Sequence, residues 1–146
     1  MYYADASRVC LEPCVPYGWQ FPDEDVFMPS AKGKGLNCFG LLTRTNKLMF
    51  STTTQNINST FVFEYLDRLS FMLEKPTVIV LDNASVHTAK IIQQQRNVWE
   101  ERGLTLFYLP PHSPQLNLIE ILWKMLKYYW LKPEDYVEEQ LLCYKI

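Results

Sequence analysis

Hydrophobic and polar positions follow two rhythms along this chain. Val78, Ile79, Val80 and Leu81 form an unbroken apolar run after Pro76, three of the four β-branched, and the run stops at Asp82. So short a run, apolar at every position, predicts a parallel strand covered on both faces. Leu104 to Leu109 predicts a second. Upstream, Met1 to Leu11, Asn37 to Thr43 and Leu48 to Thr54 read as strands, the last two joined as a hairpin by polar Arg44 to Lys47. The helical rhythm begins after a cap at Asn58 or Ser59, with Val62, Tyr65, Leu66, Leu69 and Leu73. It returns in Ile91, Ile92, Val98 and Trp99, with Thr88 as N-cap and Gly103 as the stop. It returns again from Asn117, through Leu118, Ile119, Leu122, Trp123, Leu126 and Trp130, as one long helix. Glu134 to Tyr144 predicts one more.

Between the strands, Pro13, Pro16, Gly18, Pro22 and Pro29 mark a loop. Lys32-Gly33-Lys34-Gly35 predicts a basic, flexible turn. The order β-β-β-α-β-α-β-α predicts a mixed sheet with helices on its faces, one α/β domain over residues 1–146 without internal repeats.

Composition narrows the function classes. A chain that is 48% hydrophobic is a folded globule, not a disordered one. The net charge of −2 gives no bulk attraction to nucleic acid, so any DNA contact must come from local basic patches. No apolar run reaches the roughly 18 residues of a membrane span, and no signal peptide follows Met1, so a cytoplasmic protein is expected. Cys10 and Cys14 lie four apart, but Cys38 and Cys143 are scattered, which suits inert thiols better than a zinc site.

Three carboxylates carry the candidate chemistry. Asp5 is the acid of the first strand, Asp82 ends the apolar strand, and Glu120 lies in the first turn of the last long helix. If the first strand neighbours the Asp82 strand, the two aspartates lie roughly 5 Å apart. Glu120 shares a polar helix stripe with Asn117, Lys124 and Lys127, opposite the apolar stripe of Ile119, Leu122, Trp123 and Leu126. Converging carboxylates repel unless a cation neutralises them, and hard oxygen donors suit Mg²⁺ or Mn²⁺. Asn117-x-x-Glu120 is also a capping-box pattern, in which Glu120 serves only the helix start.

The run from Asp82 to His87, the block Leu109-Pro-Pro-His-Ser-Pro-Gln-Leu-Asn-Leu-Ile-Glu120, and Trp123 resemble the catalytic domain of bacterial mariner-like insertion-sequence transposases. These belong to the DDE transposase and retroviral integrase superfamily. The 37 residues between Asp82 and Glu120 fit that family. The resemblance implies a ribonuclease H-like fold of strand order 3-2-1-4-5. It implies an Asp-Asp-Glu triad of Asp5, Asp82 and Glu120 on two Mg²⁺ or Mn²⁺ ions. It also implies transposon-end and target DNA as partners, and a homodimer in the active complex. Tyr17-Gly18-Trp19 resembles the family's tryptophan motif. Leu118 stands where members usually carry Pro, and Ala6 where many carry a second acid. The family's helix-turn-helix modules precede its catalytic domain, whereas here Met1 stands four residues before Asp5. An isolated catalytic domain, a separate reading frame or a truncated copy is therefore expected.

Other polar residues are candidates for DNA contact. Lys32, Lys34, Arg44 and Lys47 border the hairpin strands, and Lys124 and Lys127 follow Glu120 along one helix face. Trp19 can stack on a base or anchor its loop. His112 in the proline loop can meet a phosphate or simply solvent. His87 has three readings: a helix-start hydrogen bond, a metal ligand or a proton relay. The reading that joins these features is a transposase catalytic domain that cleaves DNA and transfers a strand. Its rivals are a ribonuclease H-like nuclease or resolvase, and a non-catalytic remnant that binds DNA or inhibits an intact transposase by dimerising with it.

Overall fold

The register between the first and fourth strands decides where the aspartates lie. The computed structural model describes residues 1–11, 22–23 and 31–136. Their strands are β1 (Tyr2–Leu11), β2 (Ala31–Leu42), β3 (Leu48–Thr53), β4 (Thr77–Leu81) and β5 (Leu104–Tyr108). The helices are α1 (Ser59–Phe71), α2 (Lys90–Glu101) and α3 (Leu118–Met125). The sheet order is β3-β2-β1-β4-β5, the predicted 3-2-1-4-5. β2 runs antiparallel to β1 and β3, while β1–β4 and β4–β5 are parallel. β1 pairs Tyr2 with Ile79 and Tyr3 with Val80. Continuing that register by two positions brings Asp5 level with Asp82.

Alternation along the strands divides the core into two layers. Ala4, Phe39, Leu41, Ile79 and Leu81 pack with α1 and α2 through Val62, Leu66, Leu69, Ile92 and Trp99. Tyr3, Val9, Cys38 and Val80 pack on the other face with Ile119 and Trp123 of α3. Asp5 and Asp82, each one position beyond Ala4 and Leu81, therefore fall on the α3 face. Gly40 lets α3 settle there: a Cβ at Gly40 would lie 2.9 Å from Trp123 Cη2 and 3.0 Å from Ile119 Cδ1. On the far face, Asp67 of α1 accepts Trp99 Nε1–H at 3.0 Å and pairs with Arg102 at 2.8 Å, joining α1 to α2.

Several local expectations are corrected. Lys32 to Gly35 is not a turn but the start of β2, with Gly35 opposite Cys10. A Cβ at Gly35 would meet the Val9 carbonyl at 2.5 Å, and a register shift between Cys10 and Leu11 absorbs the extra residues. Asn58 is the N-cap of α1, its side chain accepting Phe61 N–H at 2.9 Å. Thr88 does not cap α2: its hydroxyl bonds back to the Ala84 carbonyl, and Ala89 holds the cap position. Gly103 stops α2 with φ +86°, as its lack of a Cβ allows. The last helix is not α-helical to Trp130. After Met125 it widens into a π-turn over Leu126–Trp130, in which Leu131 N–H reaches the Leu126 carbonyl five residues back. Of the helix expected over Glu134 to Tyr144, the described part is a 3-10 turn, Pro133–Tyr136, and the remainder lies outside the described residues. No helix of the described residues is long and apolar enough to cross a membrane.

Candidate active site at the carboxyl edge of the sheet

Asp82 leaves β4 into a tight turn that its own side chain organises. Its Oδ1 accepts Ala84 N–H at 3.0 Å, the side-chain-to-backbone bond that aspartate favours in turns. The same oxygen lies 2.6 Å from His87 Nδ1. The Asp82 side chain is 43% exposed and that of His87 1%. The hydrogen bond from His87 holds the Asp82 carboxyl below its ordinary range, assisted by Ala84 N–H and opposed by partial burial. Asn83 donates to the Leu109 carbonyl, tying this turn to the end of β5.

Asp5 is buried on the α3 face. Its pKa is pushed up to about 7, first by burial and next by the Glu120 carboxylate. Asp82 adds to the rise, while Ala6 N–H and His87 oppose it. Asp5 therefore feels both of the other acids.

Glu120 is placed by the chain before it. Pro110, Pro111 and Pro114 stiffen the loop, His112 takes a left-handed φ of +56°, and a 3-10 turn, Pro114–Leu116, leads into α3. The capping box does not form. Asn117 N–H bonds to the Pro114 carbonyl, and the Asn117 side chain crosses to β1, where Nδ2 donates to the Ala4 carbonyl at 3.1 Å. The first turn of α3 is thereby anchored one residue before Asp5. Glu120 forms a wall of two hollows. One, of about 430 Å³, is lined by Asp82, Asn83, His112, Ser113 and Asn117. The other, of about 440 Å³, is lined by Asp5, Arg8, Lys124, Lys127 and Tyr128.

The remaining candidates divide. Lys124 and half-buried Lys127 line the groove beside Asp5 and Glu120. His112 is exposed in the cleft beside Asp82. Lys34 is exposed on β2, beyond the level of Asp5. His87 does not face a DNA surface: it is buried, with its ring 6.1 Å from that of Phe39. Arg44 and Lys47 border a hollow with Met1, Lys75 and Pro76, at the opposite end of the sheet from Asp82. Trp19 and the Lys32 side chain lie outside the described residues. Sequence reasoning missed Arg8 and Tyr128 as groove residues, and Asn83 and Asn117 as tethers. The Asn117 signal was present in the loop motif, but its capping-box reading directed it to the helix.

Among the described residues, no three His, Cys, Asp or Glu side chains stand close enough as they lie to hold a metal ion. The donor chemistry nevertheless fits a hard cation. Asp5 is raised first by burial and then by the Glu120 and Asp82 carboxylates, a repulsion that a divalent ion removes. Asp82 Oδ2 takes no hydrogen bond from the described residues, so one oxygen of that carboxylate is left for a ligand.

The fold recurs in solved structures. The Mos1 transposase paired-end complex with left transposon end matches with a TM-score of 0.66 at 14% identity, over 99% of this chain and 50% of that one. The Mos1 mariner paired end complex with Mn gives 0.66 at 14%, over 98% and 47%. The intasome of simian T-cell lymphotropic virus, in complex with a PP2A regulatory subunit, gives 0.53 at 16%, over 70% and 36%. These neighbours make the fold ribonuclease H-like, and the chain spans about half the length of the Mos1 chains it matches. The uncharacterized protein y4pE/y4sA of Sinorhizobium fredii is 35% identical over 54 residues, which are 37% of this chain and 36% of that protein. The model of the DDE superfamily endonuclease family matches residues 1–141, and with its sheet and strand ends already pointing the same way, the chain belongs to that family.

Proposed function

We propose that this chain is the catalytic domain of a transposase, which cuts a phosphodiester at a transposon end and joins the freed 3′ hydroxyl to target DNA. The observation that supports it most is the placing of Asp5, which the β1–β4 register brings level with Asp82 and which shares a hollow with Glu120. A lone structural aspartate would be placed where its charge is compensated; this one is placed where two further negative charges face it. Asp5 on the central strand, the free oxygen of Asp82 and Glu120 on α3 would hold two Mg²⁺ or Mn²⁺ ions. Such ions supply activation of the attacking hydroxyl and neutralisation of charge on the leaving oxygen. The chain's own residues do the rest. Asn117 fixes the distance between Asp5 and Glu120. Lys124 and Lys127 hold backbone phosphates beside the carboxylates. The proline loop walls the cleft next to Asp82. Chemistry of this kind rests on positioning and charge stabilisation, and rigid strand ends meet that need.

Nicking of a supercoiled plasmid and of a labelled duplex tests the reading. Turnover is expected with Mg²⁺ or Mn²⁺ and not with Ca²⁺. Asp5→Asn, Asp82→Asn and Glu120→Gln each abolish it, and double variants are little worse than single ones because the three act as a unit. Nicking that survives Asp82→Asn overturns the assignment. Preferential cleavage of RNA–DNA hybrid would favour a ribonuclease H-like nuclease instead.

A further inference from the structure

We infer that His87 is a positioning residue for Asp82: it holds one carboxylate oxygen from inside the core so that the other faces the cleft. The inference rests on the metal-dependent reading above for its use, but on the hydrogen bonds alone for its geometry. His87 Nδ1 and Ala84 N–H converge on the same atom, Asp82 Oδ1, at 2.6 Å and 3.0 Å. A carboxylate can only accept, so the ring proton sits on Nδ1. The other nitrogen agrees. His87 Nε2 is buried without a hydrogen-bond partner. In the Nδ1–H tautomer it is a bare lone pair near the Phe39 ring. The opposite tautomer would bury an unpaired N–H and set two lone pairs against each other across 2.6 Å.

The main chain of His87 is itself held from behind. Tyr108 Oη donates to the His87 carbonyl at 2.8 Å, and Gln93 Nε2 donates to that hydroxyl at 3.0 Å. The Arg96 guanidinium lies over the Tyr108 ring, 5.7 Å from its centre. Phe39 packs edge-on against Tyr65 at 5.1 Å. A ring 1% exposed cannot reach a phosphate in the cleft, and its second nitrogen is buried without a partner. What it can do is select the rotamer of Asp82. Partners that orient a ligating carboxylate commonly change metal affinity by about 10–100-fold when removed.

Three variants and one spectrum test this. His87→Phe keeps the ring volume and loses the donor. His87→Asn keeps a donor close to the Nδ1 position. Tyr108→Phe removes the hydrogen bond to the His87 carbonyl and so loosens the main chain that carries the ring. Mn²⁺ affinity, measured by titration calorimetry on folded protein, should fall about 10–100-fold in His87→Phe. It should return to within a few-fold of wild type in His87→Asn, and fall by a smaller factor in Tyr108→Phe. A merely structural histidine would change the melting temperature in both His87 variants without this loss and rescue. Folded His87→Phe that binds Mn²⁺ as wild type does overturns the inference. If His87→Phe does not fold, His87→Asn and ¹⁵N spectra of the wild-type imidazole decide it. Those spectra need no metal: a proton on Nδ1 upholds the contact, and a proton on Nε2 overturns it. Wild type that shows the Nδ1 proton yet binds no Mn²⁺ removes the metal reading and leaves the contact standing.

Discussion

Gly40 stands directly opposite Asp5 in the β1–β2 ladder, and the same glycine is the floor on which Trp123 and Ile119 of α3 rest. Glu120 lies between those two residues in sequence. One position thus sets how deep α3 sits beside the buried acid. Gly40→Ala places a methyl 2.9 Å from Trp123 and should cost about 1–3 kcal/mol by overpacking. It should also lift Glu120 away from Asp5. Chemical denaturation measures the first effect; a weakened Mn²⁺-induced rise in melting temperature measures the second. A Gly40→Ala chain as stable as wild type would show that α3 yields freely.

Asn117 gives a second handle on the same distance. Its amide bonds to the Ala4 carbonyl, and its Oδ1 is buried without a partner. Asn117→Ala should destabilise the chain by about 1–3 kcal/mol, since the Ala4 carbonyl then loses its buried partner. Plasmid nicking should fall more than stability alone explains, because Glu120 loses its anchor. Urea melts of Asn117→Ala, set beside its nicking rate at a temperature where it is fully folded, separate the two effects.

Asp5 predicts a pH dependence of the metal-free fold. Its pKa is near 3.8 in the unfolded chain and about 7 when folded. Between these values the folded state binds more protons than the unfolded one, so stability falls as pH rises. The contribution is fully present below about pH 3.8 and lost by about pH 7, a change on the order of 4 kcal/mol at most. Asp82 acts in the opposite sense: its lowered pKa contributes stability above its unfolded value and loses it as pH falls through the folded one. Melting curves from pH 4 to 8 should show a decline toward neutrality that Asp5→Asn flattens and Mn²⁺ reverses. A wild-type profile identical to that of Asp5→Asn would refute this account.

Lys124 and Lys127 line the groove beside Asp5 and Glu120. If they meet DNA phosphates, Lys124→Ala and Lys127→Ala should each weaken binding equally for unrelated duplexes. Each should also reduce the slope of log affinity against log salt by about one. Arg44→Ala and Lys47→Ala, at the opposite end of the sheet, should leave that slope unchanged. Fluorescence anisotropy titrations at several salt concentrations compare the four.

The order of strands and helices was legible in the sequence because its two periods are strong and Pro76, Gly103 and the prolines after Leu109 punctuate them. The arrangement 3-2-1-4-5 and the triad came from the resemblance, since nothing local states which strand neighbours β4. Spacing alone could not choose between the capping and catalytic readings of Glu120. What removes the capping box is Asn117, whose partner Ala4 is 113 positions away. The glycines at 33 and 35 misled in the other direction: they read as a turn, but Gly35 is needed where two strand backbones crowd. The π-turn after Met125 has no hydrophobic signature, because its residues continue the helical pattern of Trp123 and Leu126.

The bond from Asn117 to Ala4 also governs how the protein is made. β1 is made before the other four strands and is the middle strand of the finished sheet. β2 can join it early, but β4 and the amide of Asn117 follow many residues later. Until then β1 carries an open edge next to an acid with no counter-charge, a state prone to pairing with the wrong strand. A chain ending between Asn83 and Leu116 would hold both aspartates and neither the glutamate nor its anchor. Premature termination in that window should therefore yield aggregates and not a folded domain.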